Sequence, residues 1–441
     1  MKLYSVLNIM VVFILLLNLQ GKALANGYEF LHQSAEGLGT AYATNGTAGN
    51  DISTLYSNPA SIVRFDGTRI SSSLVLDFPR STMDQASATG PYSNGTVTVS
   101  GFPAKPTQFI DTAFGGGAYI THQLKDGLVF GIALNAPFAY TSDYGETAVT
   151  RYTATETSLQ ATNFSPSLAY QVSDKLSMGG SINFQYYQAT LGTMVATSVA
   201  NPQISTDVKS NIEGADLGFG YSIGFEYQLS PQTRFGASYR AGIKHQFDGT
   251  INITGTAANL TALSLVAPSL TSNSGSAKFE IATPFLLQLG LLHQLDEKVE
   301  LYANAKLTGW SGFKDTHIVY DNGLPDTVVD NGWNNSWFTA LGMGFQYSDK
   351  VKLRTGAAYD WSPTPADTVS PRAPNNDRMY AGVGLSYQYS DDLKLDFGYQ
   401  YIKFKEVTIA LAGGNNVSRG TLDAKVNLYA NVFMGQVNYT F

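Results

Sequence analysis

The sequence predicts an all-β fold: a 14-stranded antiparallel transmembrane β-barrel plugged by an N-terminal hatch segment. Three observations carry this reading. A ring-plus-Gln dipeptide that leads into a short polar turn occurs six times. The runs flanking those turns alternate apolar and polar residues. The chain ends on a ring, Phe441, that closes one more alternating run.

The repeated dipeptides are His122-Gln123, Tyr170-Gln171, Tyr227-Gln228, His293-Gln294, Phe345-Gln346 and Tyr387-Gln388. Turns such as Ser173-Asp174-Lys175, Ser230-Pro231-Gln232 and Ser390-Asp391-Asp392 follow them. Strand, tight turn, strand is the pattern of a transmembrane meander whose opposite ends carry longer loops. If both chain ends lie on the short-turn side, six turns require seven hairpins, hence fourteen strands. They are expected near 67–80, 112–124, 127–140, 157–172, 175–190, 214–229, 232–247, 280–295, 298–310, 336–347, 350–361, 378–389, 392–406 and 428–441.

Alternation sets the faces. Leu393, Leu395, Phe397, Tyr399 and Tyr401 alternate with Lys394, Asp396, Gly398 and Gln400. Val299, Leu301, Ala303, Ala305 and Leu307 alternate with Glu300, Tyr302, Asn304 and Lys306. A period of two over about ten residues fits a tilted strand crossing ~25 Å of hydrocarbon. The polar parity carries too many charges for a dry core, because a buried unpaired charge is costly. It fits a wet or plugged lumen.

Composition agrees. Charged residues are 14% of the chain, below the ~25% of an ordinary soluble domain. The 26 Tyr, 24 Phe and 43 Gly suit aromatic girdles and curved strands. With no cysteine, thiol chemistry and thiolate metal sites are excluded. A net charge of −7 argues against nucleic acid. No cofactor or metal motif is present. One Gly-x-Ser-x-Gly match, Gly220-Tyr221-Ser222-Ile223-Gly224, lies inside an expected strand and not on a strand-to-helix elbow, and no His-x-x-x-His spacing occurs among the five histidines, so an enzyme is not expected.

The chain divides into a signal peptide at 1–25, a hatch at 26–66 and a barrel at 67–441. Lys2, the apolar run Val6 to Leu17 and Ala23-Leu24-Ala25 fit an export signal cleaved before Asn26. The run is short for a spanning helix of ~20 residues. In the terminal strand Phe433, Val437, Tyr439 and Phe441 share one face. That arrangement resembles the end of bacterial outer-membrane barrels and implies recognition by the barrel-assembly machinery. Residues 26–66 do not alternate, yet hold Phe30, Leu31, Leu38, Tyr42, Leu55, Tyr56 and Ile62. A polar lumen of this diameter needs filling, and a segment rich in core-type side chains needs cover; both are met if 26–66 folds inside.

Here the residues carry a family resemblance. Gly27-Tyr28-Glu29-Phe30, the stretch Gln33 to Ala43, Asn58-Pro59-Ala60, Asn135-Ala136-Pro137-Phe138, Thr308-Gly309-Trp310-Ser311, Leu353 to Asp360 and Asn376-Asp377-Arg378 resemble, in order and spacing, the FadL/TodX family of outer-membrane transporters. The resemblance covers 26–441. It implies fourteen strands, an outer-membrane location, and uptake of long-chain fatty acids or similar hydrophobic compounds. Alternatives are an uptake channel for neutral aromatic hydrocarbons or a general diffusion porin. The implied surroundings are a hydrophobic small-molecule ligand, outer-membrane lipid and lipopolysaccharide; a monomer is expected.

The expected parts are these. Leu260, Leu263, Leu265 and Val266 of loop 248–279, with Met194 and Val195 of loop 191–213, would form a capture groove, because exposed loops so apolar mark a binding surface. Val199 and Ile204 belong to the same loop. Arg240, Lys244, Lys306, Lys314 and His317 are candidates to meet a carboxylate, or to pair with hatch and loop acids. Gln188 and His317 stand where the resemblance implies basic groups, which leaves room for a neutral ligand. Exit would be lateral. Pro137 cannot donate to a ladder and Gly131 weakens a strand, so Asn135-Ala136-Pro137 is a plausible bend. The gap is expected beside 130–138, facing Asn58-Pro59-Ala60, with Phe30 of the hatch in the gating group.

Overall fold

The computed structural model describes residues 28–47, 49–91, 107–198, 206–412 and 419–441. The expected signal peptide, Val199 and Ile204 lie outside the described residues. Fourteen antiparallel strands form one closed sheet. They are β1 (Thr68–Ala88), β2 (Ala113–Gly115, then Gly117–Lys125), β3 (Leu128–Asp143), β4 (Glu156–Ser173), β5 (Leu176–Val195), β6 (Val208–Ser230) and β7 (Thr233–Arg240, then Ile243–Thr254). They continue as β8 (Ser274–Thr283, then Leu286–Gln294), β9 (Val299–Thr308), β10 (Ser336–Ser348), β11 (Val351–Asp360), β12 (Arg378–Gln388), β13 (Leu393–Phe404, then Val407–Leu411) and β14 (Leu422–Thr440). Closure is made by β1 against β14, from Arg69↔Thr440 to Ala88↔Leu422.

The ring-Gln copies sit where strands enter the short turns, and in three of the six the Gln side chain bonds the turn. Each donates its backbone N–H to a carbonyl of the neighbouring turn region: Gln123 to Gly67, Gln171 to Gly127, Gln228 to Lys175, Gln294 to Gln232, Gln346 to Lys298 and Gln388 to Lys350. In Gln228, Gln346 and Gln388 the side-chain amide also donates to a carbonyl of its own turn, at Ser230, Ser348 and Ser390. Turn carbonyls at a strand end have no ladder partner, and the amide supplies one.

The parity expected from sequence holds. Leu287, Leu289 and Leu291 point out, as do Phe397, Phe433 and Val437. Gln288, Asn304, Lys306, Arg354, Asp396, Gln400 and Gln436 are buried on the inner side. Outward aliphatic and aromatic side chains face a solvent as apolar as themselves, while inward polar groups need partners.

Those partners come from residues 28–66, which run inside the cylinder and touch strands on opposite walls. The helical turn Ala35–Gly39 is capped by Ser34, whose hydroxyl accepts from Gly37 N–H at 2.9 Å. Its Glu36 pairs with Arg354 of β11 at 3.1 Å, and Arg354 reaches Asp396 of β13. On the other wall Glu226 of β6 accepts from Arg64, Thr47 and Ser61 of the inner segment. Glycine makes the seats. A Cβ on Gly356 would collide with the Thr40 carbonyl, and one on Gly224 with the Asn58 side chain. Inner backbone and wall backbone therefore approach as closely as Gly allows.

Several strands run further outward than alternation indicated. β5 continues to Val195 and β6 begins at Val208, so much of the expected loop 191–213 is strand. The expected loop 248–279 holds the end of β7, a helix Ala257–Val266 and the start of β8. Residues 311–335 contain a hairpin, Asp315–Tyr320 against Thr327–Asp330, that extends the wall beside β8.

Candidate functional site

A cavity of about 260 Å³ lies between the inner segment and the outer loops. Its sides are apolar: Leu159, Leu191, Met194, Val195, Ile212, Ile251, Ile281, Ile318 and Val329. At one end stands a knot of rings. Tyr28 meets Trp310 edge-on at 4.8 Å, Phe313 at 5.7 Å and Phe138 at 6.0 Å, with Trp333 5.0 Å from Trp310. Edge-to-face rings pack densely and leave a water-poor surface. Tyr28, Phe313 and Trp333 are the members that face the cavity.

The loops supply the remaining wall. Arg372 and Arg419 line the cavity beside Tyr320. Burial, and then the neighbouring Arg419, hold Arg372 down at about 9. Burial likewise lowers Arg419. A buried latch steadies the same rim: Arg151 pairs with Asp207 at 3.0 Å, and Tyr152, a lining residue, donates to the same carboxylate at 2.9 Å.

Tyr28 also belongs to a break in the wall. β2 and β3 are paired from Lys125↔Leu128 only as far as Gly117↔Asn135. Beyond that, β3 has the inner segment on this side: Phe30 N–H donates to Pro137 O at 2.8 Å, and Ala139 N–H to Tyr28 O at 2.9 Å. On its other side β3 bulges against β4 between Asn135 and Phe138. From Asn135 to Ser142 every residue is buried, so β3 loses its alternation and its lipid-facing side. Pro137, lacking an N–H, and the bulge explain why the ladder ends there. Gln33 braces the junction, its amide donating to Phe30 O at 2.7 Å and Ala136 O at 2.8 Å. Glu29 is held by Lys306 of β9 at 2.5 Å.

The expected site residues divide. Met194 and Val195 line the cavity, as strand residues and not as a loop. The other four sit on the helix, none of them in the lining. Leu263 is buried and Leu260 packs beside it, while Leu265 is 79% exposed and Val266 points away. Helical spacing puts 260 and 263 on one face. Among the bases, Arg240 donates to Tyr56 O at 2.8 Å within the inner segment. Lys244 has outward parity and pairs with Glu280 at 2.7 Å. His317 is exposed and pairs with Asp326 at 3.0 Å; Lys314 is exposed, its carbonyl accepting from Asn331 and Gly332. None of these four bases lines the cavity.

Asn135 and Pro137 are at the break, and Phe30 faces it. Gly131 is not: it is laddered on both sides, to Thr121 and Ser167, and faces Ile62 and Leu55. Asn58-Pro59-Ala60 is also elsewhere, seated on Gly179 and Gly224 of β5 and β6. Tyr28–Phe30 occupies the place expected for it, because an extended tripeptide can complete a ladder and a capped 3-10 turn cannot. Sequence reading missed Tyr28, Trp333, Arg372 and Arg419 as lining. The available signal was Pro371-Arg372-Ala373-Pro374, an arginine held between two prolines.

Comparison with known proteins gives a consistent result. The family described as "Outer membrane protein transport protein (OMPP1/FadL/TodX)" matches over residues 16–441. Outer membrane protein P1 of Haemophilus influenzae is 26% identical, over 96% of each chain. A long-chain fatty acid transport protein of Escherichia coli is 24% identical, over 95% of each. Among solved structures, a Pseudomonas aeruginosa FadL homologue superposes with a TM-score of 0.85 at 21% identity, covering 95% of this chain and 100% of that one. The Ralstonia pickettii toluene transporter TbuX gives 0.66 at 16%, covering 93% and 99%.

Proposed function

Because this chain belongs to the OMPP1/FadL/TodX family of outer-membrane transport proteins, and so is a transporter and not an enzyme, we propose that it takes up long-chain fatty acids or similar hydrophobic compounds. The ligand enters past the outer loops, rests in the apolar cavity and leaves sideways through the break between β2 and β3. The relative from Escherichia coli bears the name of a long-chain fatty acid transporter. One observation carries the route: Tyr28 forms part of the cavity surface and, by its carbonyl, also fills the break. Moving residues 28–30 would open the cavity toward the membrane. A covered path spares the ligand a hydration cost of ~25 cal/mol per Å². Residues 26–66 act as the hatch, lipid and lipopolysaccharide surround the barrel, and the strand ending at Phe441 is read by the assembly machinery.

The test exploits a chain with no cysteine. Glu29 and Phe138 are bridge partners across the break, a spacing that a disulfide can span. In a Glu29→Cys/Phe138→Cys variant, uptake of labelled palmitate should fall on oxidation and return on reduction. Equal uptake in the two states would sink the lateral route. A second reading, a neutral aromatic hydrocarbon, is favoured by the edge-on rings Tyr28, Phe313 and Trp333; competition of toluene against palmitate for uptake separates the two.

A further inference from the structure

We propose that the outer face of the closing seam binds a phosphate of lipid A, the anionic glycolipid of lipopolysaccharide, between Arg80 of β1 and Lys403 of β13. This deepens, and rests on, the reading that lipopolysaccharide surrounds the barrel. The two cations flank one ring: Tyr429 of β14 is the register partner of Arg80 on one side and of Lys403 on the other. All three have outward parity, and Lys403 Nζ lies 5.8 Å from the centre of the Tyr429 ring. The other outward-facing cations on the outer half of the described strands each have an acid: Lys209 has Glu146, Lys244 has Glu280, Lys278 has Asp248 and Lys425 has Glu406. Neither Arg80 nor Lys403 has a carboxylate within ion-pair distance among the described residues, and none of the remaining residues is Asp or Glu. Arg80 has a single 3.3 Å bond, to Gln108 Oε1.

The row stands at the edge of the apolar belt. Tyr439, whose ring packs on that of Phe441, lies ten residues beyond Tyr429 on β14. At ~3.4 Å per residue and a tilt of ~40°, that is about 26 Å of height, the span of an outward apolar band. Below the row the outward side chains include Leu76, Phe78, Tyr401 and Phe433, with Phe433 6.0 Å from Phe78. Above it they are Thr82 and Asp84 on β1, and Asn427, Lys425 and Asp423 on β14. The longer loops lie at this end, which places it at the outer leaflet. A guanidinium and an ammonium without acids at that level draw anions to the border. Phosphate oxygens fit the guanidinium fork in parallel bonds, and the ammonium adds a point charge beside them. Acyl chains of the same molecule would lie on Phe78, Leu76 and Phe433 directly beneath. The match is double, a phosphate at the border and hydrocarbon below it, which is the plan of lipid A.

The experiment is equilibrium binding of labelled bisphosphorylated lipid A to the full-length protein in phosphatidylcholine nanodiscs, with dephosphorylated lipid A and phosphatidylglycerol as comparison probes. Wild type should prefer the bisphosphorylated lipid to both. Arg80→Gln and Lys403→Gln should each weaken it roughly 3- to 10-fold, the two together roughly 10- to 100-fold, and leave the dephosphorylated lipid within about twofold. Arg80→Lys should keep most of the affinity. Lys278→Gln, which removes a cation that already has an acid, should change binding by less than about twofold. Heat-shifted gel mobility reports that each variant is folded. An equal loss in Lys278→Gln would make the effect one of net charge and overturn the site. Wild type's indifference to the phosphates, or phosphatidylglycerol bound as tightly as lipid A, would overturn it too. Density-gradient fractionation of cells tests the premise separately. Wild type absent from the outer membrane would remove the reading that lipopolysaccharide surrounds the barrel, whereas variants that reach that membrane and bind lipid A like wild type overturn the site alone.

Discussion

Replacing Lys306 with Met should loosen residues 28–30 at the wall break. Lys306 and Glu29 are both nearly buried, at 6% and 5% side-chain exposure, and 2.5 Å apart. Glu29 has one other partner, Thr308, at 3.4 Å. Removing the cation leaves a carboxylate with little water and one weak donor. Breaking such a pair from one side costs ~3–5 kcal/mol. Borne by the local segment, that raises its detached population roughly 100- to 5,000-fold. Two amides report it: Phe30 N–H and Ala139 N–H, the donors that close the break. Their hydrogen exchange should accelerate by that factor, while Gly131, laddered within β3, keeps its protection. In the double variant Glu29→Gln/Lys306→Met no charge is left unpaired, and protection should recover to within about tenfold of wild type. Unchanged exchange at Phe30 and Ala139 in Lys306→Met, or no recovery in the double variant, would refute the reasoning.

Other outcomes follow from the packing. In Gly131→Leu the new Cβ would lie 3.0 Å from Ile62 and 3.1 Å from Leu55; overpacking of ~1–3 kcal/mol should displace residues 52–65, slow palmitate uptake and leave gel mobility of the barrel unchanged. Gly356→Val sets a side chain against the Thr40 carbonyl, which cannot step aside; residues 35–43 should become protease-sensitive, and persistent resistance would count against the glycine seat. Asp377 anchors the outer loop 361–377: burial pushes its carboxyl up, but bonds from Ser362 N–H, Lys405 and Tyr359 outweigh that and hold it low. A depressed carboxyl stabilises above its unfolded value of ~3.9 and loses the contribution as pH falls through the folded value beneath it. Protection of the amides in residues 361–377, taken relative to the intrinsic exchange rate at each pH, should therefore stay level from neutral pH to about 4 and fall only below that; a fall near pH 6 would contradict the assignment.

Strand number and facing were legible because both follow from local rules. A tight turn needs particular residues, and a pleat reverses its side chains at every step. Six ring-Gln turns therefore counted the strands, and Lys306 and Arg354 could be assigned inward. Where tertiary contacts override the period, reading failed. From Asn135 onward β3 is buried on both sides, so its alternation carries no facing information. Residues 257–266 form a helix although their apolar side chains are spread around it and mark no face, so their spacing did not distinguish helix from loop. The cavity escaped because its members are scattered: Tyr28, Met194, Trp333, Arg372 and Arg419 meet only when the cylinder closes. Lys244 was misplaced by one step of parity, which is the whole difference between lumen and exterior.

The bulge at Ala136-Pro137 bears on how a vessel that unloaded sideways, as proposed, would stay intact. Its seam between β2 and β3 is sewn to the height of Asn135 and left unsewn above, and the missing stitches are borrowed from three residues of a different part of the chain. Withdrawing the borrowed thread would break two backbone bonds, the Glu29–Lys306 pair and the Tyr28 hydroxyl's bond to Ala282 O, but no bond between staves. On the proposed sideways route the hoop itself, β1 to β14 and every other seam, would not be placed at risk, so a membrane-facing door could work many times in a wall whose strength depends on remaining unbroken.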